Sequence, residues 1–192
     1  MTSARTTGWT GLAAAGLFAG ALGAFAALDP TYSHLTNAVS ELGAVGAPNQ
    51  LAWNLIGFIA VGLLLAAFGR GLGREIATPS AGGLLILFGL AFAATAIPAD
   101  MSDLGSPGST AHIVASQAVL LLWALALVRL LFVRRAGPAL RWIAAVALAL
   151  AVGAIVVRGL EALPPGLSQR LSFAVVFGWV AATSMVLLRR AP

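Results

Sequence analysis

The sequence predicts an all-α fold: a polytopic transmembrane bundle of six helices with both termini cytoplasmic. Three observations carry that expectation. Six apolar runs recur along the chain, each close to the roughly 20 residues that cross a hydrocarbon core of about 30 Å as a helix. Of the 192 residues 60% are hydrophobic and only 9% charged, where a soluble domain carries roughly 25% charge. The basic residues, all arginine, also fall mostly on one side of the expected spans, nine there against two on the other. In lipid only helices and closed barrels satisfy the backbone, and barrel strands are alternating segments of about 9–11 residues, not continuous apolar runs.

The first run, 9–28, lies between Arg5 and the pair Asp29-Pro30. Proline lacks an N–H and clashes with the preceding turn, so the helix stops there. The run is long for the apolar part of a cleaved leader and is expected to stay as a span. Its Gly16 and Gly20 form a small-residue face, expected to pack inside the bundle. The second run, 51–69, follows Pro48. Gln50 and Asn54 share a face there, and Asn54 either bonds a neighbouring helix or extends a polar pocket inward. The third, 80–99, opens on Thr78-Pro79, with proline tolerated in a first turn, and weakens at Ile97-Pro98. The fourth, 111–133, takes its cap from Ser106 or Ser109. Gly137-Pro138 separates it from the fifth, 139–157, and Pro164-Pro165-Gly166 separates that from the sixth, 171–188. The connectors leave no room for a soluble domain, so residues 1–192 read as one transmembrane unit.

Orientation follows from the arginines. Arg5, Arg70, Arg74, Arg134, Arg135, Arg141, Arg189 and Arg190 lie on the side of the termini. Arg129 snorkels to the same side. Only Arg158 and Arg170 lie opposite. The positive-inside rule then makes the termini cytoplasmic, in the cell inner (plasma) membrane. Basic residues scattered over short connectors are topology signals rather than a nucleic-acid footprint, so no nucleic-acid partner is expected. The absence of cysteine excludes disulfides, thiolate nucleophiles and cysteine-ligated metals.

The three outer connectors hold nearly all the reactive side chains, and their polar groups are expected to converge on one outward-facing cavity. Tyr32, Ser33, His34, Ser40 and Glu41 come from the first, where 37–42 reads as a short interfacial helix capped by Asn37. Asp100 and Asp103 come from the second, and His112 follows at the start of the fourth helix with Ser116 and Gln117 close by. Arg158, Glu161 and Arg170 come from the third. Arg158 and Glu161 are three apart and can pair, or an arginine can grip a phosphate or carboxylate. Two imidazoles and several carboxylates could fill a zinc site whose bound water attacks a lipid ester or amide. Yet there is no H-E-x-x-H and no G-x-S-x-G, and a triad of Ser40, His112 and Asp100 finds no support in the spacing. Neither a metal nor another cofactor is expected.

"YSHLTNAVSELGAVGAPN" resembles the first outer loop of the DUF998 family of six-helix membrane proteins, through Tyr32, Ser33, Ser40, Glu41, Leu42, Gly43 and Pro48. The resemblance continues in Asp100, Asp103 and His112, and in Gly166 and Arg170 of "GLSQRLSF". It implies a fold and a membrane location rather than an activity. The polar face is also similar to that of ceramidase-like membrane hydrolases, although this chain has two histidines where three ligating ones would be expected. The reading that follows is a membrane protein that binds a lipid headgroup or small polar ligand, with membrane lipid as its partner. A lipid hydrolase or transferase, with or without a metal, is the alternative, and a structural partner of another membrane protein or a homo-oligomer is a third.

Overall fold

The computed structural model describes residues 3–190, and among them every regular element is helical. Six helices run the length of the molecule: α1 (Ser3–Ala27), α2 (Gln50–Glu75), α3 (Pro79–Ala94), α4 (Pro107–Leu131), α5 (Gly137–Gly159) and α6 (Pro165–Arg190). Each packs on its neighbours in the sequence, and α6 closes back onto α1, so the six form a ring. Five are long and apolar enough to cross a membrane; α3, with 16 residues, is shorter. Connectors 28–49, 95–106 and 160–164 gather at one end, hereafter the polar end. Ser3, Arg190 and most arginines lie at the other.

The helix bounds differ from the sequence expectation where local chemistry intervenes. Pro107 and Pro165 sit in first turns, where a missing N–H costs nothing, so α4 and α6 start earlier than expected. Ser106 supplies the α4 cap, its Oγ accepting from the Ser109 amide at 3.2 Å. α3 was expected to reach 99 but ends at Ala94. The Thr95 hydroxyl donates to the Phe92 carbonyl at 2.6 Å, and Pro98 disfavours helical geometry at Ile97. Residues 95–99 therefore leave the helix with free carbonyls, and two of these are used at the polar end. α2 contains a π-helical stretch, Asn54–Ala60, which shifts the faces that follow it.

The middle of the ring is filled by aromatic rings from several helices. Phe18 of α1 stacks on Phe177 of α6 at 4.3 Å between centroids and meets Phe92 of α3 edge-on at 5.8 Å. Trp123 of α4 and Trp179 of α6 meet edge-on at 6.2 Å. Such pairs add about 0.5–1.5 kcal/mol each beyond burial.

α2 and α3 cross at backbone contact. A Cβ on Gly62 would stand 2.6 Å from the Gly89 carbonyl oxygen, and one on Gly73 would stand 2.5 Å from the Gly82 Cα. Small residues at such a seam replace the hydrophobic drive that is missing between helices in lipid. Gly16 and Gly20 of α1 were expected to serve the same purpose. Instead both face away from the rest of the chain, with nothing within 4 Å of an added Cβ. Gly8 and Gly11, half a turn round, make the close approach of α1 to Ser184, Leu188 and Phe68.

Candidate functional site

The polar end separates into a clamp and a cavity. The clamp begins in the sequence 37–43. Rather than an exposed interfacial helix, Val39–Gly43 is a 3-10 turn with Val39 and Leu42 buried in the core. Glu41 folds back on the turn: its Oε1 accepts from the Ala38 amide at 2.6 Å and its Oε2 from Asn37 Nδ2 at 2.5 Å. Asn37 Oδ1 in turn accepts from the Ser33 amide at 2.8 Å, and Ser33 Oγ accepts from the Leu35 amide. Asn54 reaches up from α2 and donates to the Gly43 carbonyl at 2.9 Å. Of its two expected roles, bonding to a neighbouring element is the one observed.

Arg170 ties this turn to α6, 130 residues away in sequence. Its Nη1 donates to the carbonyls of Asn37 at 3.0 Å and Gly166 at 2.8 Å, its Nη2 to the Tyr32 hydroxyl at 2.5 Å, and its Nε to His34 Nδ1 at 3.1 Å. Tyr32 passes the hydrogen bond on to the Ala38 carbonyl at 3.2 Å. Burial pushes the Tyr32 phenol above its ordinary value, opposed by the Arg170 guanidinium beside it, so the hydroxyl keeps the proton that this bond requires. Gly166 lies directly under the connector, since a Cβ there would meet the Asn37 carbonyl oxygen at 2.6 Å. The Leu35 carbonyl accepts from the Leu167 amide at 3.1 Å, satisfying one of the free donors at the start of α6.

Asp100 and Asp103 shape the second connector. Asp100 accepts from the Ser102 amide at 2.8 Å and from its hydroxyl at 2.6 Å, which holds the carboxyl below its ordinary value. Asp103 accepts from the Gly105 amide at 3.0 Å. The fully buried Ser109 accepts from the Asp100 amide and donates to the Asp103 carbonyl, pinning this loop to α4. The Val45 amide donates to the Ala99 carbonyl at 2.9 Å, joining the second connector to the first.

Beneath the 3-10 turn lies a cavity of about 120 Å³. Its polar wall comes from Ser40, His112, Ser116, Arg158, Gln169 and Ser172, and its apolar floor includes Phe58, Phe92 and Phe173. His112 is buried, and its Nδ1 lies 3.0 Å from the Ile97 carbonyl oxygen freed by the early end of α3. A carbonyl only accepts, so Nδ1 carries a proton and donates it, which leaves Nε2 as the ring's other polar atom. Among the described residues Nε2 has no partner, nor have the side chains of Ser40, Ser116 and Arg158. Gln169 both lines the cavity and holds its roof, accepting from the Val39 amide at 2.6 Å.

The sequence-predicted residues therefore do not share one cavity. Ser40, His112 and Arg158 line it. Tyr32 and Glu41 border a separate surface cleft above, and Ser33, His34 and Arg170 belong to the clamp. Glu161 borders an outer groove with Arg158, and the two are not ion-paired. The reason is local: α5 ends at Gly159 and Glu161 turns away at φ 51°, off the helical face it would have shared with Arg158. Among the described residues no three His, Asp or Glu side chains stand close enough to share a metal ion. Gln169, Ser172, Phe173 and Val176 escaped sequence reasoning. Their spacing of three, four and seven along α6 was the available signal, since those intervals place residues on one helical face.

A family model described as protein of unknown function (DUF998) matches residues 12–186. The chain belongs to that family and is an integral, multi-pass membrane protein. No curated protein and no solved structure matches it.

Proposed function

We propose that this DUF998 protein resides in the inner (plasma) membrane with its termini in the cytoplasm, and that its outward-facing cavity binds a lipid headgroup or small polar ligand. The observation that carries this reading is the unpaired set formed by His112 Nε2, Ser40, Ser116 and Arg158 around one cavity. His112 is buried, Ser40 and Ser116 are half-buried and Arg158 is exposed, so the set can be reached from outside, and a ligand with hydroxyl, amine or phosphate groups would supply partners to all four together. The phenylalanine floor gives the same site an apolar side, which suits a ligand that is polar at one end.

His112→Ala should weaken retention of co-purifying lipid or ligand by about tenfold, the scale of one lost hydrogen bond in a desolvated site. Native mass spectrometry of gently extracted protein reads this directly. Equal retention by wild type and variant would count against the cavity as the binding site.

Orientation is tested separately. Reporter fusions after Arg74 and Arg135 should report cytoplasm, and fusions within 29–49 the outside. An external signal at Arg135 would overturn the topology.

A second reading is ester or amide chemistry, favoured by the presence of two free serine hydroxyls and an oriented imidazole in one cavity. Asp100 plays no part in it, since its carboxylate is taken up by Ser102; the Ile97 carbonyl orients the ring instead. Turnover of a lipid ester that is lost in both His112→Ala and one serine variant would favour this reading over simple binding.

A further inference from the structure

The cavity adjoins a smaller apolar slot between α4, α5 and α6. Leu120, Ser172 and Val176 line both spaces, and the slot goes on past Trp123, Ile155 and Val175. From α5 the cavity receives Arg158, and the slot receives Ile155 and Ala151. These three residues are spaced by three and four, so they form one stripe on a single face of α5. At 1.5 Å per residue the stripe is about 10 Å long. Its top is a cation with no partner among the described residues, and its lower part is apolar. Ile155 is 64% exposed and Leu120 42% exposed, so the slot opens sideways at the α4–α5 seam, the loosest contact in the ring.

We infer that the ligand of this cavity is an anionic phospholipid taken from the bilayer, with its phosphate against Arg158 and one acyl chain along the slot. The inference rests on the headgroup-binding reading and goes further by fixing the ligand class and the path of its chain. Three features favour a lipid over a free anion. The polar and apolar spaces share lining residues, the opening faces the seam rather than only the polar end, and the one cationic group in the cavity wall, Arg158, lies one helical turn from Ile155 of the slot. Arginine presents a fork of donors suited to phosphate oxygens.

The test uses the full chain in detergent, with native mass spectrometry reading dissociation constants for phosphatidylglycerol, phosphatidylcholine and glycerol 3-phosphate. Phosphatidylglycerol should bind about tenfold tighter than phosphatidylcholine, which offers the same phosphate but brings its choline cation close to the Arg158 guanidinium. Arg158→Gln should bring the two close to equality. Because Arg158 makes no contact that holds the fold, that variant should melt with the wild type. Ile155→Trp, at a site with room for the larger ring, should weaken phosphatidylglycerol by about tenfold and leave glycerol 3-phosphate unaffected. Ala151→Phe blocks the lower end of the slot and should behave likewise; either variant suffices, judged on protein that stays monodisperse. If wild type does not distinguish the two lipids, or if the slot variants bind phosphatidylglycerol normally, the lipid assignment is wrong, and loss of binding in His112→Ala would still uphold the headgroup reading. If His112→Ala binds both phosphatidylglycerol and glycerol 3-phosphate like wild type, the headgroup reading fails and this inference fails with it.

Discussion

Leucine in place of Gly89 is expected to prevent the ring of helices from closing. A Cβ at this position would stand 2.6 Å from the Gly62 carbonyl oxygen and 2.8 Å from the Ala66 Cα. Both are backbone atoms of α2, so no side chain can rotate away to make room. The helices would have to part along the seam that also contains Gly69, Gly73 and Gly82. Overpacking typically costs about 1–3 kcal/mol where side chains can adjust; here the cost should reach or exceed that upper value. Against a total stability of about 5–15 kcal/mol, the result should be a large fall in melting temperature or loss of the monodisperse peak after extraction. Gly16→Leu is the matched control. It adds the same bulk to α1 where nothing lies within 4 Å, and it should melt within a degree or two of wild type, since changes away from packed features cost under about 0.5 kcal/mol. Equal behaviour of the two variants would contradict the α2–α3 crossing described above.

Arg170→Ala should release the first connector from α6. The substitution removes four hydrogen bonds, and the Asn37 and Gly166 carbonyls lose their charged donor. Bonds to a charged group contribute about 1.5–3 kcal/mol each in isolation. The group is half-buried and water can replace part of the loss, so about 2–4 kcal/mol is expected in total. Hydrogen exchange would localise the effect. The amides of Ala38 and Val39, protected by Glu41 and Gln169, should exchange faster, while those in the middle of α2 and α3 keep their protection. Arg170→Lys should not rescue the clamp. An ammonium on a flexible stem cannot reach a phenol, an imidazole and two carbonyls at once. Wild-type exchange at 38–39 in the alanine variant would show that Arg170 is not what holds the connector.

Much of the architecture was legible in the chain. The apolar runs and their proline and glycine breaks marked six helices, because in lipid a long apolar segment has no alternative way to satisfy its backbone. The breaks at Pro30 and Pro164 fell between helices as expected, whereas Pro138 sits in the first turn of α5, where proline is tolerated. α3 was overestimated because hydropathy does not register a helix end. Residues 95–99 are apolar enough to continue, yet they unwind where Thr95 and Pro98 favour it and where His112 Nδ1 and the Val45 amide donate to the freed carbonyls.

The polar residues were harder to sort. Sequence alone identified Tyr32, Glu41, His112, Arg158 and Arg170 as groups that would not sit idle in such an apolar chain. It did not distinguish those whose hydrogen bonds are spent inside the protein from those left open. Arg170 and Arg158 look alike as isolated arginines near helix ends. Tertiary structure separates them, because α6 carries Arg170 under the first connector, whereas α5 leaves Arg158 at the cavity wall without a partner. Helix formation in a membrane is decided by short-range composition, and so it can be read along the chain. Whether a polar side chain holds the fold or faces a ligand depends on donors and acceptors more than a hundred residues away, whose positions exist only once the ring has closed.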